Sequence, residues 1–299
     1  EYGRRRMGVP LLADILNEFG LAGTFFVEPF NDELGYPGQT EPVCTLLLDR
    51  GQDVQLHVHP VHRLYALRRE GRDVPHTDDL PDLPEEQVRQ MLAEGAERLA
   101  RWTGRAPVAF RAGNMAASEE VLRQLPGAGI RLDSSYAFPY AAGPGRFRPQ
   151  EPYNGSKWYG EVLELALSGF TQPRWPGLRP AKPLDLVGIS FAECREAVRR
   201  ICLSGADAVV ILHSFSLFKV RNVQYDSGRL NRIVLGRFRR LCGWLREHAG
   251  QFPARTFSDL ARAVAAGEYE PRAVPPCRLG AARALLRKAV QALNRPYWT

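Results

Sequence analysis

Asp53-Val54-Gln55-Leu56-His57-Val58-His59-Pro60-Val61-His62 reads as a β-strand that runs out in histidines. The strand spans Asp53 to Val58 and ends before Pro60, which has no N–H to continue a ladder. Side chains alternate along a strand, so His57 and His59 point to the same side. Three of the chain's six histidines fall within this stretch. In parallel α/β folds, functional groups gather at the carboxyl ends of strands. Two neutral imidazoles on one side of such an end make a ligand pair for zinc or a similar divalent ion, with His62 as a third candidate. Asp53 lies on the far side of the mouth from His57 and is a poor ligand.

Outward from this strand, helices and strands alternate. Val9, Leu12, Ile15, Leu16 and Phe19 form a helical stripe that Gly20 stops. Thr24-Phe25-Phe26-Val27 is a short apolar run of strand type. Residues 42–50 read as a helix and Pro60 to Pro81 as a long polar loop. Leu83 to Thr103 is the clearest helix, closed by Gly104. Pro107–Arg111, Ile130–Ser134, Val162–Leu167 and Ala208–Leu212 read as strands. Between and after them come a short helix capped by Ser118, helices over Ser190–Leu203 and Leu230–His248, and one starting at Ser258. This alternation implies an α/β protein with a parallel sheet, open or closed into a barrel.

Composition excludes several classes. At 44% hydrophobic and 24% charged, the chain can bury a core without staples. The five cysteines (Cys44, Cys194, Cys202, Cys242, Cys277) are odd in number and lack any CxxC pair, which argues for buried thiols in a reducing, cytoplasmic setting. The net charge of +7 comes from arginines spread along helices beside acids, as in Glu94–Arg98 and Glu97–Arg101. A solvated surface explains that pattern better than nucleic-acid binding. No stretch suits a bilayer span. The start at Glu1 instead of Met reads as a fragment or a processed product.

Residues 1–268 read as the body and 269–299 as a basic amphipathic tail. Leu279, Ala282, Leu286, Ala289, Val290 and Leu293 share one helical face, with Arg283, Arg287 and Lys288 largely elsewhere. Docking of that face on the body is favoured over membrane contact, in which Tyr297 and Trp298 would sit at the interface.

Two other strand ends carry chemistry. His213 closes the apolar run Val209-Val210-Ile211-Leu212 and suits general acid or base work. Arg111 ends its strand before Ala112-Gly113-Asn114, where a buried cation needs a carboxylate. Gly113 lets the backbone turn and present amides.

Together these residues resemble the polysaccharide deacetylase family (carbohydrate esterase family 4), over residues 8 to 266. Thr24-Phe25-Phe26-Val27 looks like its ATFFV strand, and Gly51 to His59 like its metal-histidine segment in the LHxHP variant. Phe110-Arg111-Ala112-Gly113 looks like FRxxG, Asp133-Ser134-Ser135 like the DSS that follows, Leu163-Glu164-Leu165 like LLEIP and Leu212-His213 like LxH. The resemblance implies a distorted (β/α)7 barrel holding one divalent metal ion, often zinc, whose activated water attacks an N-acetyl sugar. It makes His57 a ligand and His213 the general acid. Arg111 would hold a general-base aspartate, amides near Gly113 and Asn114 would stabilise the oxyanion, and Leu212 would line the acetyl pocket. Trp158, Tyr159, Trp175 and Tyr136 suit stacking on sugar rings, although core packing explains them equally well.

The sequence departs from the pattern at three places. Family spacing would put the second histidine at Val61, so His59 or His62 must serve. Gly113 replaces a proline. The paired acids expected ahead of Val9 reduce to Glu1, the place of the last acid of a DxE strand, so the base would be missing from the chain as given. The rival readings are a non-catalytic carbohydrate-binding relative and a metal-dependent hydrolase of another amide.

Overall fold

The computed structural model describes residues 7–34, 37–141, 146–174, 179–220 and 228–293. In chain order the strands are β1 (Thr24–Val27), β2 (Asp53–Val58), β3 (Ala109–Ala112), β4 (Leu132–Asp133), β5 (Asn154–Tyr159), β6 (Val162–Leu165), β7 (Gly169–Thr171), β8 (Ala181–Pro183), β9 (Phe218–Val220), β10 (Gly228–Leu230), β11 (Ala273–Val274) and β12 (Cys277–Arg278). The helices are α1 (Val9–Glu18), α2 (Thr40–Asp49), α3 (Pro60–Arg69), α4 (Glu85–Thr103), α5 (Glu119–Gln124), α6 (Phe191–Leu203), α7 (Arg232–Glu247), α8 (Phe257–Ala265) and α9 (Ala281–Leu293).

The main sheet runs β1-β2-β3-β4-β6-β5-β11, parallel from β1 to β6 and antiparallel beyond. Two isolated parallel bridges, Leu167 to Val209 and Asp185 to Ile211, carry the pairing past β6. The Ala208–Leu212 run therefore makes bridges without becoming a strand. The expected barrel does not close among the described residues, where β1 stands at an open edge.

Alternation along β2 sorts the two faces. Val54, Leu56 and Val58 join Phe110 and Ala112 in a core under α2 and α4. The opposite face packs Ala109, Leu132, Leu163 and Leu165 against Phe257 and Leu260 of α8. Asp53 explains why α8 sits there: its carboxylate accepts hydrogen bonds from Thr24 Oγ1 (2.8 Å), Ser258 N (3.2 Å) and Ser258 Oγ (2.7 Å). Asp53 is thus committed to the amino end of the sheet, away from the histidines, as its position in the strand implied.

Pro60–Pro81 holds more than a loop, because Pro60 occupies the first turn of α3. Proline is tolerated there, its absent N–H being unpaired in any helix start. All five cysteines are free, and Cys44, Cys194 and Cys242 are buried. Among the described residues no helix is long and apolar enough to cross a membrane.

Leu279, of the face expected to dock, is buried just ahead of α9, but the helix itself docks with the opposite face: Ala284 and Arg287 are buried, whereas Leu286 is 69% exposed. The Arg287 guanidinium forms a buried ion pair with Glu193 and donates to Gln172 Oε1 at 3.0 Å. Glu193 also completes the capping box of α6 with Ser190. Tyr297 and Trp298 lie outside the described residues. Arg287→Ala would strand the Glu193 carboxylate, at a cost on the order of 3 kcal/mol. Denaturant unfolding should register that loss, together with faster tryptic cleavage within α9.

Candidate active site

His57, His59 and His62 come together at the carboxyl end of β2, with Arg111 and Gly113 of the neighbouring β3 end beside them. The His57 and His59 rings meet edge to face with centroids 4.8 Å apart, and His62 stacks on His59 at 5.7 Å. Each of the first two is tethered through Nδ1. His57 Nδ1 lies 2.6 Å from the Arg111 carbonyl, and His59 Nδ1 lies 2.8 Å from Asp78 Oδ2. A ring nitrogen facing a carbonyl or carboxylate carries the proton, which leaves the lone pair on Nε2. Burial, with His59 adding to it, lowers the His57 pKa to about 3, so this ring stays neutral.

Asp78 and Glu28 are site residues that motif reading missed. Asp78 sits in the polar stretch after α3, where nothing local marks it. Its carboxylate also accepts from Asn114 Nδ2 at 2.9 Å. Glu28 left a clearer signal, since it directly follows the strand Thr24–Val27. Its carboxylate receives the backbone N–H groups of His59 and, at 2.8 Å, Phe30. Burial nonetheless raises its pKa to about 8. The His62 Nδ1 atom is buried without a partner and lies 4.0 Å from Glu28.

Gly113 shows how closely these parts fit. A Cβ at this position would stand 2.6, 2.7 and 2.8 Å from three ring atoms of His59. The following Asn114 and Met115 both adopt φ of 54°, a left-handed conformation that is costly for non-glycine residues. The His59 ring lies against residue 113, and only glycine leaves room there.

Arg111 stacks over the Phe26 ring at 4.2 Å and donates to the carbonyl and the hydroxyl of Ser134 at 3.0 and 2.9 Å. Among the described residues no carboxylate pairs with it directly. Burial lowers its pKa to about 10, opposed by the fields of Asp133 and Glu164. Those two acids are fully buried on paired positions of β4 and β6. Burial first, and then the Asp133 charge, hold Glu164 well above the carboxylate range. Glu164 therefore favours its protonated form; its Oε1 accepts from Tyr136 N at 2.9 Å, and its buried Oε2 has no hydrogen-bond partner among the described residues. Asp133 in turn accepts from Ser135 N and Oγ at 3.0 and 2.8 Å. The DSS segment and the strand Leu163-Glu164-Leu165 thus form one buried hydrogen-bonded unit.

His213 lies past the Ile211 bridge, open to solvent on one side and stacked on Phe215 at 5.0 Å on the other. Burial of the packed side lowers its pKa while Asp185, bridged to Ile211, works the other way. Asp185 is a further residue that the motifs did not flag. Leu212, half-buried, precedes His213. Tyr136 and Tyr159 belong to an aromatic core with Tyr153 and Phe147, whereas Trp158 is exposed. A cavity of about 380 Å³ lies beside that core, lined by Tyr136, Phe138 and Arg148 among others. Glu1 and Trp175 lie outside the described residues.

The donor chemistry of His57 and His59 fits a divalent cation, since metal-ligating histidines carry such hydrogen bonds on the far nitrogen. Among the described residues, no group of three or more His, Cys, Asp and Glu side chains is arranged to hold one.

No family model matches the sequence, and no curated protein matches it. Among solved structures the chain is similar to a provisionally assigned polysaccharide deacetylase from Mycobacterium smegmatis, at 18% identity and a TM-score of 0.56, covering 91% of this chain and 82% of that one. It is also similar to a 4-alpha-glucanotransferase from Thermococcus litoralis, at 15% identity and a TM-score of 0.54, covering 92% of this chain and 37% of that one. A family 4 carbohydrate esterase from Streptomyces lividans aligns at 14% identity over 91% of this chain and 93% of that one, with a TM-score of 0.46 that adds no weight. The chain shares its fold with the first two. Their names describe different reactions, so the fold leaves the chemistry to the site.

Two measurements probe the His59 anchor. The hydrogen bond to Asp78, opposed by partial burial, raises the His59 pKa above 6.5, so its contribution to stability is complete below 6.5 and fades as pH rises through the folded value. Burial pushes Asp78 up, but hydrogen bonds from His59, Asn114 and Val61 outweigh it and hold the group below 3.8, so its contribution fades as pH falls through that lower value. Asp78→Asn should therefore cost most stability between pH 3.8 and 6.5 and lower the His59 pKa in an NMR titration. Gly113→Ala should lower the same pKa by pushing the ring off Asp78. An unmoved His59 titration in both variants would contradict this account.

Proposed function

We propose that this chain is a metal-dependent hydrolase that removes N-acetyl groups from the amino sugars of a polysaccharide or glycan. The supporting observation is the paired tethering of His57 and His59 through Nδ1 at the carboxyl end of β2, with their rings 4.8 Å apart and His57 kept neutral by burial. These two residues would hold the cation, with His62 in reserve and zinc as the natural choice for nitrogen donors. A divalent ion held there supplies Lewis-acid polarisation of the acetamide carbonyl.

The protein's own groups surround that position. His213 moves a proton at the leaving amine, because burial favours its neutral form and Asp185 favours the charged one. Arg111 offers a buried cation to a carboxylate base that activates water. The turn at Gly113 and Asn114 aims backbone amides at the oxyanion, and Leu212 lines the acetyl pocket. In this reading the open sheet is that of a distorted barrel.

Acetate release from N-acetylglucosamine oligomers with added zinc tests the reading. His213→Ala should slow release by about 100-fold or more. His57→Ala should abolish stoichiometric zinc binding in calorimetry. Release that survives both substitutions together would overturn the assignment.

A further inference from the structure

We propose that α9 seats the protein on an anionic lipid membrane through an outward Ala/Leu face. The helix is inverted relative to an ordinary surface helix. Its buried side carries Arg287, paired with Glu193, while Leu285 and Leu286 are 49% and 69% exposed. At 100° per residue, Ala282, Leu285, Leu286, Ala289 and Ala292 fall within about 120° of one another around the axis. All five are exposed, and no polar residue interrupts them. A helix held by a buried ion pair with its leucines in solvent has given up the usual reason for its amphipathicity. The leucine face is therefore oriented for something outside the body.

Charge selects the occupant. Arg283 and Lys288 flank the apolar face and are exposed. Arg283 acts on the Glu196 carboxyl of α6, which places Arg199 and Arg200, the ion-pair partners of Glu196, on the same rim. Residues 271–299 hold six Arg and Lys residues and no Asp or Glu. A cationic rim around an apolar helix face complements acidic headgroups over acyl chains, and each cation adds to the attraction. A second copy fits poorly. Two-fold pairing would bring like-charged rims together. The face itself, about 20 Å by 10 Å, offers roughly 200 Å² where a stable dimer buries about 800 Å² per partner.

Sedimentation of the full chain with vesicles tests the proposal. The protein should pellet with vesicles of equal phosphatidylglycerol and phosphatidylcholine, remain free with phosphatidylcholine alone, and detach as salt rises. Leu285→Glu with Leu286→Glu should weaken partitioning by about tenfold or more, and Arg283→Glu with Lys288→Glu independently by a similar factor. The leucine pair is exposed, so its thermal unfolding should be unchanged; circular dichroism should show the charge-reversed pair still folded, although Arg283→Glu faces Glu196. A chain that ignores phosphatidylglycerol vesicles, or double variants that bind as the parent does, would overturn the idea. So would a vesicle-free dimer that the leucine substitutions disperse.

Discussion

The imidazole of His59 rests against the backbone of Gly113, with its Nδ1 held by Asp78, while the backbone N–H of the same residue donates to Glu28. Through this one residue, the end of β1, the stretch after α3 and the turn after β3 are brought to a common point. None of the three could move far without losing the others. The strained turn at Asn114 and Met115 is held by the same contacts, since Asn114 also donates to Asp78.

Buried charge is handled in three ways, and the differences bear on function. Burial holds the paired acids Asp133 and Glu164 above the ordinary carboxylate range, which favours their protonated forms. Arg287 and Glu193 neutralise each other outright, which suits a structural clamp. Arg111 is left with a serine, an aromatic face and distant fields. Arg237 is likewise buried with no carboxylate in direct contact among the described residues, its guanidinium donating to the Leu186 and Val187 carbonyls, so what distinguishes Arg111 is its place next to the histidines.

The tail reverses the usual relation between helix and body. Its polar face is consumed by docking and its apolar face is presented outward, with cations at the rim. Docking and surface attachment, which look like rival roles in the linear pattern, are compatible once the ion pair with α6 is seen.

The pattern of residues determined a good deal by itself. Short apolar strands alternating with capped helices specified a parallel α/β sheet, because those periodicities are local properties of the backbone. The paired side of His57 and His59 followed from strand alternation, whereas the barrel expected from the order of the motifs does not close among the described residues. The presence of α3 was hidden by Pro60, which reads equally as a stop and as a helix start. Tertiary structure alone brought Asp78, Glu28 and Asp185 to the histidines, since each is contributed by a segment whose local pattern is silent about its partner. It alone decided which face of α9 is buried, because one long-range ion pair outweighed a hydrophobic stripe. Residue 113 could be read as permissive in the sequence; only the packed ring of His59 makes it necessary.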